Sequence, residues 1–465
     1  MTQVAVIGAG PGGYEAALVA ASLGADVTVI AAEGAGGSCV LYDCVPSKTL
    51  IATSDKVTSF RNAAGVGLQG TFSDVDLHAV NDRITALAQS QSDDIAARLV
   101  REGVNIVTGH GRFAVSPSNG HRHSLEVVDD SGSVVHRVEA DVVLVATGGT
   151  PRELAGSPPD GERILSWRQL YDLDRLPEEL VVIGSGVTGA EFASGYCELG
   201  VPVTLVSSRD RVLPSEDADA AAVIERVFTE GGGRLVKQAR AKSVSRDGGS
   251  VVVELVDGRV VRGSHALICV GTVPNTASLG LAEAGVEVDR EGYIVVDRVS
   301  RTSVPGVYAA GDCTGVMLLA SVAAMQGRIA MWHALGEAVA PLRTKTVAAN
   351  VFTHPEIATV GIGAAARATV VPAAVVTLPL STNARAKMQN NLDGFVKLYA
   401  RQETGVVVGG VVVAPDASEL IMPVTLAVQR RLTVDDLAAT FTVYPSLSGS
   451  IAEAARRLMH HGDLD

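Results

Sequence analysis

The sequence lacks the features of a secreted, membrane-spanning or nucleic-acid-binding protein. It has five cysteines in 465 residues, an odd number that does not fit a secreted disulfide framework. No apolar run reaches the roughly 18 residues that a membrane span needs, and the N-terminus shows no basic n-region and no signal cleavage site. The net charge of −13 comes without a basic block, which argues against nucleic acid or an anionic membrane as the main partner. We therefore expect a soluble, cytoplasmic protein.

Aromatic residues are also scarce, at 4%, whereas glycine is abundant, with 49 residues. The apolar fraction of 47% and the charged fraction of 19% allow large buried cores and exclude a disordered chain. At about 150 residues per domain, the length corresponds to roughly two to four domains. The many glycines indicate tight backbone turns, so we expect a multidomain α/β protein.

The first 30 residues predict a βαβ unit that binds a dinucleotide. An apolar strand, Val4–Ile7, leads into a glycine loop and an alanine-rich helix, and a second strand, Asp26–Ile30, follows. Gly8 permits the tight turn, Gly10 lets backbone amides approach a pyrophosphate, and Gly13 lets the helix pack closely on the strand.

The same pattern recurs later in the chain. The strand Leu180–Ile183 precedes Gly184, Gly186 and Gly189, and the strand Val203–Val206 closes the unit. Two such units bind two dinucleotides, most simply a flavin and a nicotinamide cofactor.

The segments outside the two βαβ units also carry predictions of secondary structure. Residues 50–110 favour helices, and residues 104–150 favour strands with a hairpin turn at Ser116–Gly120. From about residue 345 strands give way to helices, which indicates a third, α+β domain.

The ends of the second strands bear on which nucleotide binds. Glu33 follows the first unit and is a candidate for the adenosine ribose, although it is equally an ordinary loop acid. In the second unit Ser207, Ser208 and Arg209 stand at the strand end in place of a carboxylate. Arg209 could pair with a 2′-phosphate, which favours NADPH or tolerance of both cofactors, or it is a surface charge.

Two cysteines lie close together after the first unit, in the run Gly36–Lys48. Cys39 and Cys44 are five residues apart, an offset that can bring their sulfurs near bonding range on a helical turn. A helix N-terminus there would lower a thiol pKa. Two structural thiols are the alternative. Cys197 and Cys269 lie in apolar or helical contexts, and we expect both to be buried.

The run Gly36–Lys48 matches a motif similar to GGxCxxxxCxPSK of the pyridine nucleotide–disulfide oxidoreductases, and the resemblance extends over essentially the whole chain. The C-terminal segment Tyr444–Ser450, together with Asp43–Lys48, resembles an actinobacterial branch of the family that is named for NAD(P)H quinone reductase activity. Four further segments also resemble family motifs. Ala146–Pro151 resembles the ATG turn, and Gly271–Asn275 resembles a GRxPN turn with Thr272 in place of arginine. Thr302–Asp312 resembles the second flavin motif, and Phe352–Glu356 resembles the start of the dimerisation domain.

The resemblance implies an α/β fold with two Rossmann-like dinucleotide-binding domains and a C-terminal α+β dimerisation domain. It places an FAD-binding domain at residues 1–150 and 271–345, an NAD(P)-binding domain at 151–270 and the dimerisation domain at 346–465. It further implies FAD in the first site, NADPH or NADH in the second, and a homodimer.

The resemblance also implies roles for individual residues. Cys44 would lie against the flavin as the thiolate, and Cys39 would be the outer interchange thiol. Lys48 and Glu191 would form an ion pair beside flavin N5, where a cation suits the charge of the reduced ring, unless the pair is purely structural. Five other residues would contribute to cofactor binding, Asp312 through the ribityl chain: Thr147, Gly148, Gly271, Gly311 and Asp312.

The sequence departs from the family near its C-terminus. Where the family has a motif similar to HPTxSE, with a His–Glu dyad for proton transfer, this chain has Tyr444 in place of the histidine and Gly449 in place of the glutamate. A tyrosine, with an unperturbed pKa of about 10, is a poor base near neutral pH. General acid–base help contributes typically about 10²–10⁴-fold, so disulfide turnover would lose much of its rate.

This departure favours an enzyme that passes electrons from NAD(P)H through flavin to quinones or similar acceptors. Tyr444 would offer an aromatic face to a planar acceptor or would merely fill the space of the histidine. A disulfide or metal-ion reductase with an unusual proton donor is the principal alternative. A soluble transhydrogenase and a non-catalytic flavin-binding subunit are less favoured, because the cysteine pair and the nicotinamide site are both retained.

Overall fold

The computed structural model describes residues 1–70, 74–114, 122–362 and 373–459. The α-helices of these residues are, in chain order from α1 to α12: Pro11–Ser22, Gly37–Leu41, Cys44–Arg61, Leu77–Arg101, Val187–Leu199, Ala218–Glu230, Ala320–Ala334, Ala384–Gln389, Ala417–Leu420, Met422–Arg430, Val434–Ala439 and Gly449–Leu458. Short 3-10 helices lie at Ala63–Val66, Trp167–Asp172, Asp312–Thr314, Thr344–Thr346 and Leu380–Thr382. No helix in the described ranges is both long enough and apolar enough to cross a lipid bilayer.

The strands of the described residues are, from β1 to β23: Gln3–Ile7, Asp26–Ala31, Asn105–Thr108, His110–Phe113, His123–Val128, Val134–Ala140, Val142–Val145, Gly149–Pro151, Ile164–Ser166, Leu180–Ile183, Val203–Val206, Arg234–Val236, Ala241–Asp247, Ser250–Leu255, Val260–Gly263, His265–Ile268, Thr272–Pro274, Val307–Ala309, Ala348–Val351, Glu356–Gly361, Ala373–Pro379, Phe395–Arg401 and Val407–Ala414. The predicted hairpin turn at Ser116–Gly120 lies outside the described residues; β4 and β5, on either side of it, pair antiparallel.

The chain divides into two compact units. The first comprises Met1–Ser47, Asn81–Arg152 and Gly271–Thr344. Its main sheet has the order β18-β7-β1-β2-β3 and is parallel throughout. Strand β1 is apolar and buried over most of its length, as expected for a parallel strand covered on both faces. The antiparallel sheet β4-β5-β6 completes this unit together with the β8-β17 ribbon.

Helices α1 and α7 cross closely in the first unit. A Cβ atom on Gly327 would overlap the carbonyl oxygen of Gly12, so only glycine permits this approach. Buried alanines such as Ala16 and Ala330 continue the contact. The small residues of α1 and α7 therefore allow the two helices to pack closely together.

The second unit comprises Lys48–Val80, Glu153–Val270 and Lys345–Asp465. Its parallel sheet has the order β12-β11-β10-β16-β9. The antiparallel sheet β13-β14-β15 lies between β12 and β16 in the chain. Strands β10 and β11 are buried at every residue. The second predicted βαβ unit is thus confirmed as β10, α5 and β11.

The C-terminal part of the second unit is an antiparallel sheet in the order β19-β20-β23-β22-β21. Side chains of α10 and α12, such as Val424 and Ile451, join the buried cluster on this sheet with Val412 and Leu398. The α+β character expected of this part of the chain is confirmed.

Candidate functional site

The first glycine loop has the geometry of a pyrophosphate cradle. Gly8 has φ +102°, and a Cβ atom on it would overlap the carbonyl oxygen of Ala146. A Cβ on Gly13 would overlap the carbonyl oxygen of Gly8, whereas Gly10 faces open space. Gly10 directly precedes α1, which begins at Pro11. The open position and the helix N-terminus together fit a nucleotide diphosphate.

The second glycine loop repeats this geometry in the other unit. Gly184 has φ +109°, and its Cβ would overlap the carbonyl oxygen of Cys269. A Cβ on Gly189 would overlap the oxygen of Gly184, and Gly186 again faces open space. Helix α5 begins one residue after Gly186. Each unit therefore carries a loop that fits a dinucleotide.

The ends of the second strands differ between the two units. Glu33 is exposed two residues beyond β2. Beyond β11, Ser207 is fully buried, its hydroxyl lies 2.7 Å from that of Ser185, and it accepts the backbone N–H of Arg209 at 3.1 Å. Arg209 itself is exposed, and its guanidinium forms no ion pair within the described residues. The backbone of Arg209 is thus fixed while its charge remains available to a ligand.

Two turns of the first unit are joined by a pair of residues. The Thr147 hydroxyl donates to the Asn275 carbonyl at 2.8 Å, and the Asn275 side-chain amide donates to the Thr147 carbonyl at 3.0 Å. Next to them, the backbone N–H of Asn275 donates to the carbonyl of Gly148, and the backbone N–H of Arg152 donates to the carbonyl of Gly271. Thr147, Gly148 and Gly271 therefore lie together, as the pairing of β8 with β17 requires.

Asp312 lies at the start of a 3-10 helix in the same unit. Gly311, with φ +83°, donates its N–H to the side-chain oxygen of buried Gln326 at 2.9 Å. Burial raises the pKa of Asp312 to about 6, and the nearby Asp43 carboxylate adds to this shift. A desolvated carboxyl group of this kind is suited to accept hydrogen bonds from a polar ligand. Gln326 was not identified from the sequence, because nothing local links it to Gly311.

The two cysteines lie at the starts of two separate helices. Gly36 and Gly37 both have positive φ, and the Gly36 amide donates to the carbonyl of Ala9 in the first glycine loop at 2.8 Å. Cys39 lies in α2, and Cys44 is the first residue of α3. Both are half-buried thiols. The single helical turn expected from the sequence is therefore wrong, because the chain leaves the helix after Leu41.

The other two cysteines considered above differ in burial. Cys269 is buried, as predicted. Cys197 is only half-buried, and its thiol donates to the carbonyl of Gly231 at 3.4 Å. The expectation of full burial was wrong for Cys197, because the end of α5 that carries it is partly open.

Lys48 and Glu191 form an ion pair in the second unit. The Lys48 Nζ lies 2.7 Å from Glu191 Oε2, and the Glu191 side chain is 4% exposed. The other oxygen of Glu191 accepts the backbone N–H of Phe352 at 2.8 Å. Lys48 Nζ also lies 4.9 Å from the centre of the Phe352 ring. The ammonium group is therefore held in place from two sides.

The segment around Tyr444 is open to solvent in this chain. Tyr444 is 85% exposed, and Phe441 and Val443 beside it are also exposed. Gly449 is the first residue of α12, and its amide donates to the Ser446 hydroxyl. The segment is thus ordered around Ser446, and positions 444 and 449 carry neither an imidazole nor a carboxylate.

A further group of titratable residues was not predicted. His354 Nδ1 lies 3.3 Å from an oxygen of Asp55 and 3.9 Å from an oxygen of Glu198. Burial raises the pKa of Glu198 to about 7, and the Asp55 carboxylate raises the pKa of His354. These residues come from α3, α5 and the approach to β20, so no sequence spacing could have revealed them.

Comparisons with known proteins agree with this architecture. The model of the pyridine nucleotide-disulphide oxidoreductase family matches residues 2–327, and that of its dimerisation domain matches residues 347–455. The chain is 57% identical to NAD(P)H dehydrogenase (quinone) of Mycobacterium tuberculosis, over 100% of this chain and 95% of that protein. It is 34% identical to dihydrolipoyl dehydrogenase of Haloferax volcanii, over 98% and 96%.

The crystal structure of LpdA from Mycobacterium tuberculosis superimposes with a TM-score of 0.94 at 56% identity, covering 99% of this chain and 100% of that one. Two glycine loops, a C-terminal antiparallel sheet and matches over nearly the full length lead to one conclusion. The chain belongs to the pyridine nucleotide-disulphide oxidoreductase family.

Proposed function

We propose that this protein is a homodimeric, cytoplasmic oxidoreductase that takes electrons from NADPH or NADH and delivers them to quinones or similar acceptors. The observation that carries this proposal is the C-terminal motif, in which Tyr444 and Gly449 stand where proton transfer to sulfur would need a histidine and a glutamate. The name of the Mycobacterium tuberculosis relative, which describes a quinone-reducing enzyme, supports the same acceptor class.

FAD and NAD(P)H are the cofactors of this family, and the two glycine loops fit two dinucleotides. We assign FAD to residues 1–150 and 271–345, NAD(P)H to residues 151–270, and dimerisation to residues 346–465. FAD, when bound, supplies the two-electron chemistry that links a hydride donor to an acceptor. Around its site Gly8, Gly10 and Gly13 would seat the pyrophosphate, Glu33 the ribose and Asp312 the ribityl hydroxyls.

The chain's own side chains would tune this chemistry. Lys48 is a fixed cation, and Glu191 sets its position by a 2.7 Å contact. Such a cation would stabilise negative charge that develops on a neighbouring ring. In the other nucleotide site Gly184, Gly186 and Gly189 would seat the pyrophosphate, and Arg209 would pair with a 2′-phosphate, which supports use of NADPH.

A second candidate function is disulfide reduction through Cys39 and Cys44. The hydrogen bond from Gly36 to Ala9 supports it, because it ties the segment before Cys39 to the first glycine loop. Thiol–disulfide exchange would still require a proton donor for the leaving thiolate. Tyr444 or water would have to serve, and both are poor substitutes for an imidazole near neutral pH.

Steady-state kinetics with NADPH would separate the two functions. The purified enzyme is given a benzoquinone, lipoamide or glutathione disulfide, and kcat/KM is compared. We expect quinone reduction to be faster than reduction of both disulfides, because disulfide turnover lacks the contribution of general acid–base catalysis, typically about 10²–10⁴-fold. Disulfide turnover comparable to quinone turnover would refute the proposal.

A double variant, Tyr444→His with Gly449→Glu, tests the reason for this preference. It restores both members of the dyad within the ordered frame of Ser446. We expect lipoamide or glutathione disulfide reduction to rise while quinone reduction changes little. The single variant Tyr444→Phe is the matched control, because it removes the hydroxyl group without adding a base.

A further inference from the structure

Three potential metal ligands meet in the second unit, independently of the proposed quinone chemistry. Asp55 lies on α3, Glu198 lies near the end of α5 opposite its glycine loop, and His354 lies just before β20. One ligand atom from each falls within 4.8 Å of the others, and this is the only such group of three found among the described residues.

Hydrogen bonds to neighbouring groups orient the Glu198 carboxylate and fix the backbone at His354. The Ser54 hydroxyl, which is fully buried, donates to Glu198 Oε2 at 2.8 Å, so the other oxygen, Oε1, is the one that faces His354. The Ser194 hydroxyl accepts the backbone N–H of His354 at 3.1 Å. Outer hydrogen bonds of this kind are what orient the ligands of protein metal sites.

We propose that Asp55, Glu198 and His354 bind a divalent transition-metal ion of the zinc class. Neighbouring ligands of tetrahedral zinc, at bond lengths of about 2.0–2.2 Å, lie roughly 3.3–3.6 Å apart. The two distances from His354 Nδ1, 3.3 and 3.9 Å, need only small side-chain adjustments to reach this spacing. One imidazole and two carboxylates offer nitrogen and oxygen ligands that zinc accepts and that neutralise its charge.

The exposure of the group suits an ion that enters from solvent. The Asp55 side chain is 46% exposed and that of His354 is 33% exposed, whereas that of Glu198 is 14% exposed. The ion would thus be bound on the least exposed carboxylate, that of Glu198, and covered by the more open side chains, with water in the fourth position. It would link three separate stretches of the second unit, 48–80, 153–270 and 345–465.

Equilibrium dialysis of the FAD-loaded enzyme against zinc tests the proposal. Metal is first removed with a chelator and the chelator is dialysed away. We expect one zinc ion per chain, and an affinity at least about 10–100-fold weaker in His354→Gln, the loss typical of removing even a supporting group. The milder variant Asp55→Asn, at an exposed position, should also bind zinc more weakly. Agreement between the two variants would show that the weaker binding of His354→Gln does not come from misfolding.

A matched control is available in His110, whose Nε2 lies 3.2 Å from Asp130 in an exposed pair. The variant His110→Gln removes a similar histidine–aspartate pair that lacks a third ligand, so zinc affinity should not change. Zinc should also raise the melting temperature of the wild type and of His110→Gln but not that of His354→Gln.

The cysteine pair is the competing explanation for any bound zinc. In the variant Cys39→Ser we expect the stoichiometry of one zinc ion to persist. Loss of zinc in Cys39→Ser with retention in His354→Gln would overturn the proposal in favour of the thiols. Absence of zinc binding by the wild type would overturn it in favour of a simple hydrogen-bonded ion pair.

Discussion

Replacing Lys48 by methionine should slow electron delivery and destabilise the fold, and the two effects can be separated. Methionine keeps much of the length and the apolar stem of lysine while it removes the charge. The Glu191 side chain, 4% exposed, then loses the Nζ contact at 2.7 Å and retains the Phe352 amide at 2.8 Å. Within the described part of the chain, the variant therefore leaves a buried carboxylate with one hydrogen-bond donor and no cation.

The structure sets the size of both effects. Removing one partner of a buried ion pair typically costs about 3–5 kcal/mol. The Lys48 side chain is 29% exposed, so water reaches one side of the pair, and we expect a loss of about 2–3 kcal/mol in the free energy of unfolding. In its proposed place beside the flavin ring, the Lys48 charge is comparable to a single oxyanion-hole donor, whose loss costs about 10²–10³-fold in kcat.

Stopped-flow reduction of the enzyme by NADPH, together with urea denaturation, measures the two quantities. The control is Lys397→Met, which breaks a second buried pair in the same unit. Lys397 Nζ lies 2.8 and 2.9 Å from the oxygens of Asp217 and 2.6 Å from Asp219. This variant should lose at least as much stability, while its rate per bound FAD stays near that of the wild type.

The two variants together can refute the reasoning. If NADPH reduces Lys48→Met at a rate within about threefold of the wild-type rate, Lys48 is a structural cation only. If Lys397→Met slows the reaction as much as Lys48→Met does, the rate reports general loosening of the second unit instead of a charge at the reacting ring.

Three further predictions concern the sulfur pair, the nicotinamide site and pH. Cys39→Ser should leave quinone turnover largely intact in steady-state assays, whereas near-complete loss would reveal an obligatory thiol relay. Arg209→Glu should shift the ratio of kcat/KM values from NADPH towards NADH, because the substituted carboxylate repels a 2′-phosphate; an unchanged ratio would exclude that contact. Burial raises the pKa of Asp312 from 3.8 to about 6, so the folded state disfavours the ionised form. Through this group, the stability of the cofactor-free protein should therefore fall as pH rises from about 4 to 6, by up to about 3 kcal/mol. Urea denaturation of Asp312→Asn should show a decline that is smaller by this amount.

The nucleotide-binding loops could be predicted because their requirements are local. At Gly8 and Gly184 the backbone needs a positive φ beside a neighbouring carbonyl oxygen, and only glycine meets both conditions at low cost. At Gly13 and Gly189 a side chain would overlap the preceding turn. Each condition involves a few residues around one strand–helix turn, so spacing alone reveals it.

Contacts between distant residues could not be predicted in this way. Glu191 meets Lys48 across 143 residues and the Phe352 amide across 161. The pairing of Lys48 with Glu191 was expected only from the family resemblance, and the contribution of the Phe352 backbone was not expected at all. The separation of Cys39 and Cys44 into two helices was also missed, because helix propensity does not reveal where packing ends a helix.

The exposure of Tyr444 bears on the two roles considered for it. A side chain that merely filled the space of a missing histidine would be packed against its surroundings, yet Tyr444 is 85% exposed among the described residues of its own chain. Phe441 and Val443 beside it are 103% and 78% exposed, and such a run of apolar side chains is costly to leave in water. Packing of Tyr444 would therefore come from outside these described residues, and in the proposed homodimeric enzyme a second subunit or a bound acceptor would supply it. Either source agrees with the proposed homodimeric enzyme, in which position 444 carries no imidazole and position 449 no carboxylate.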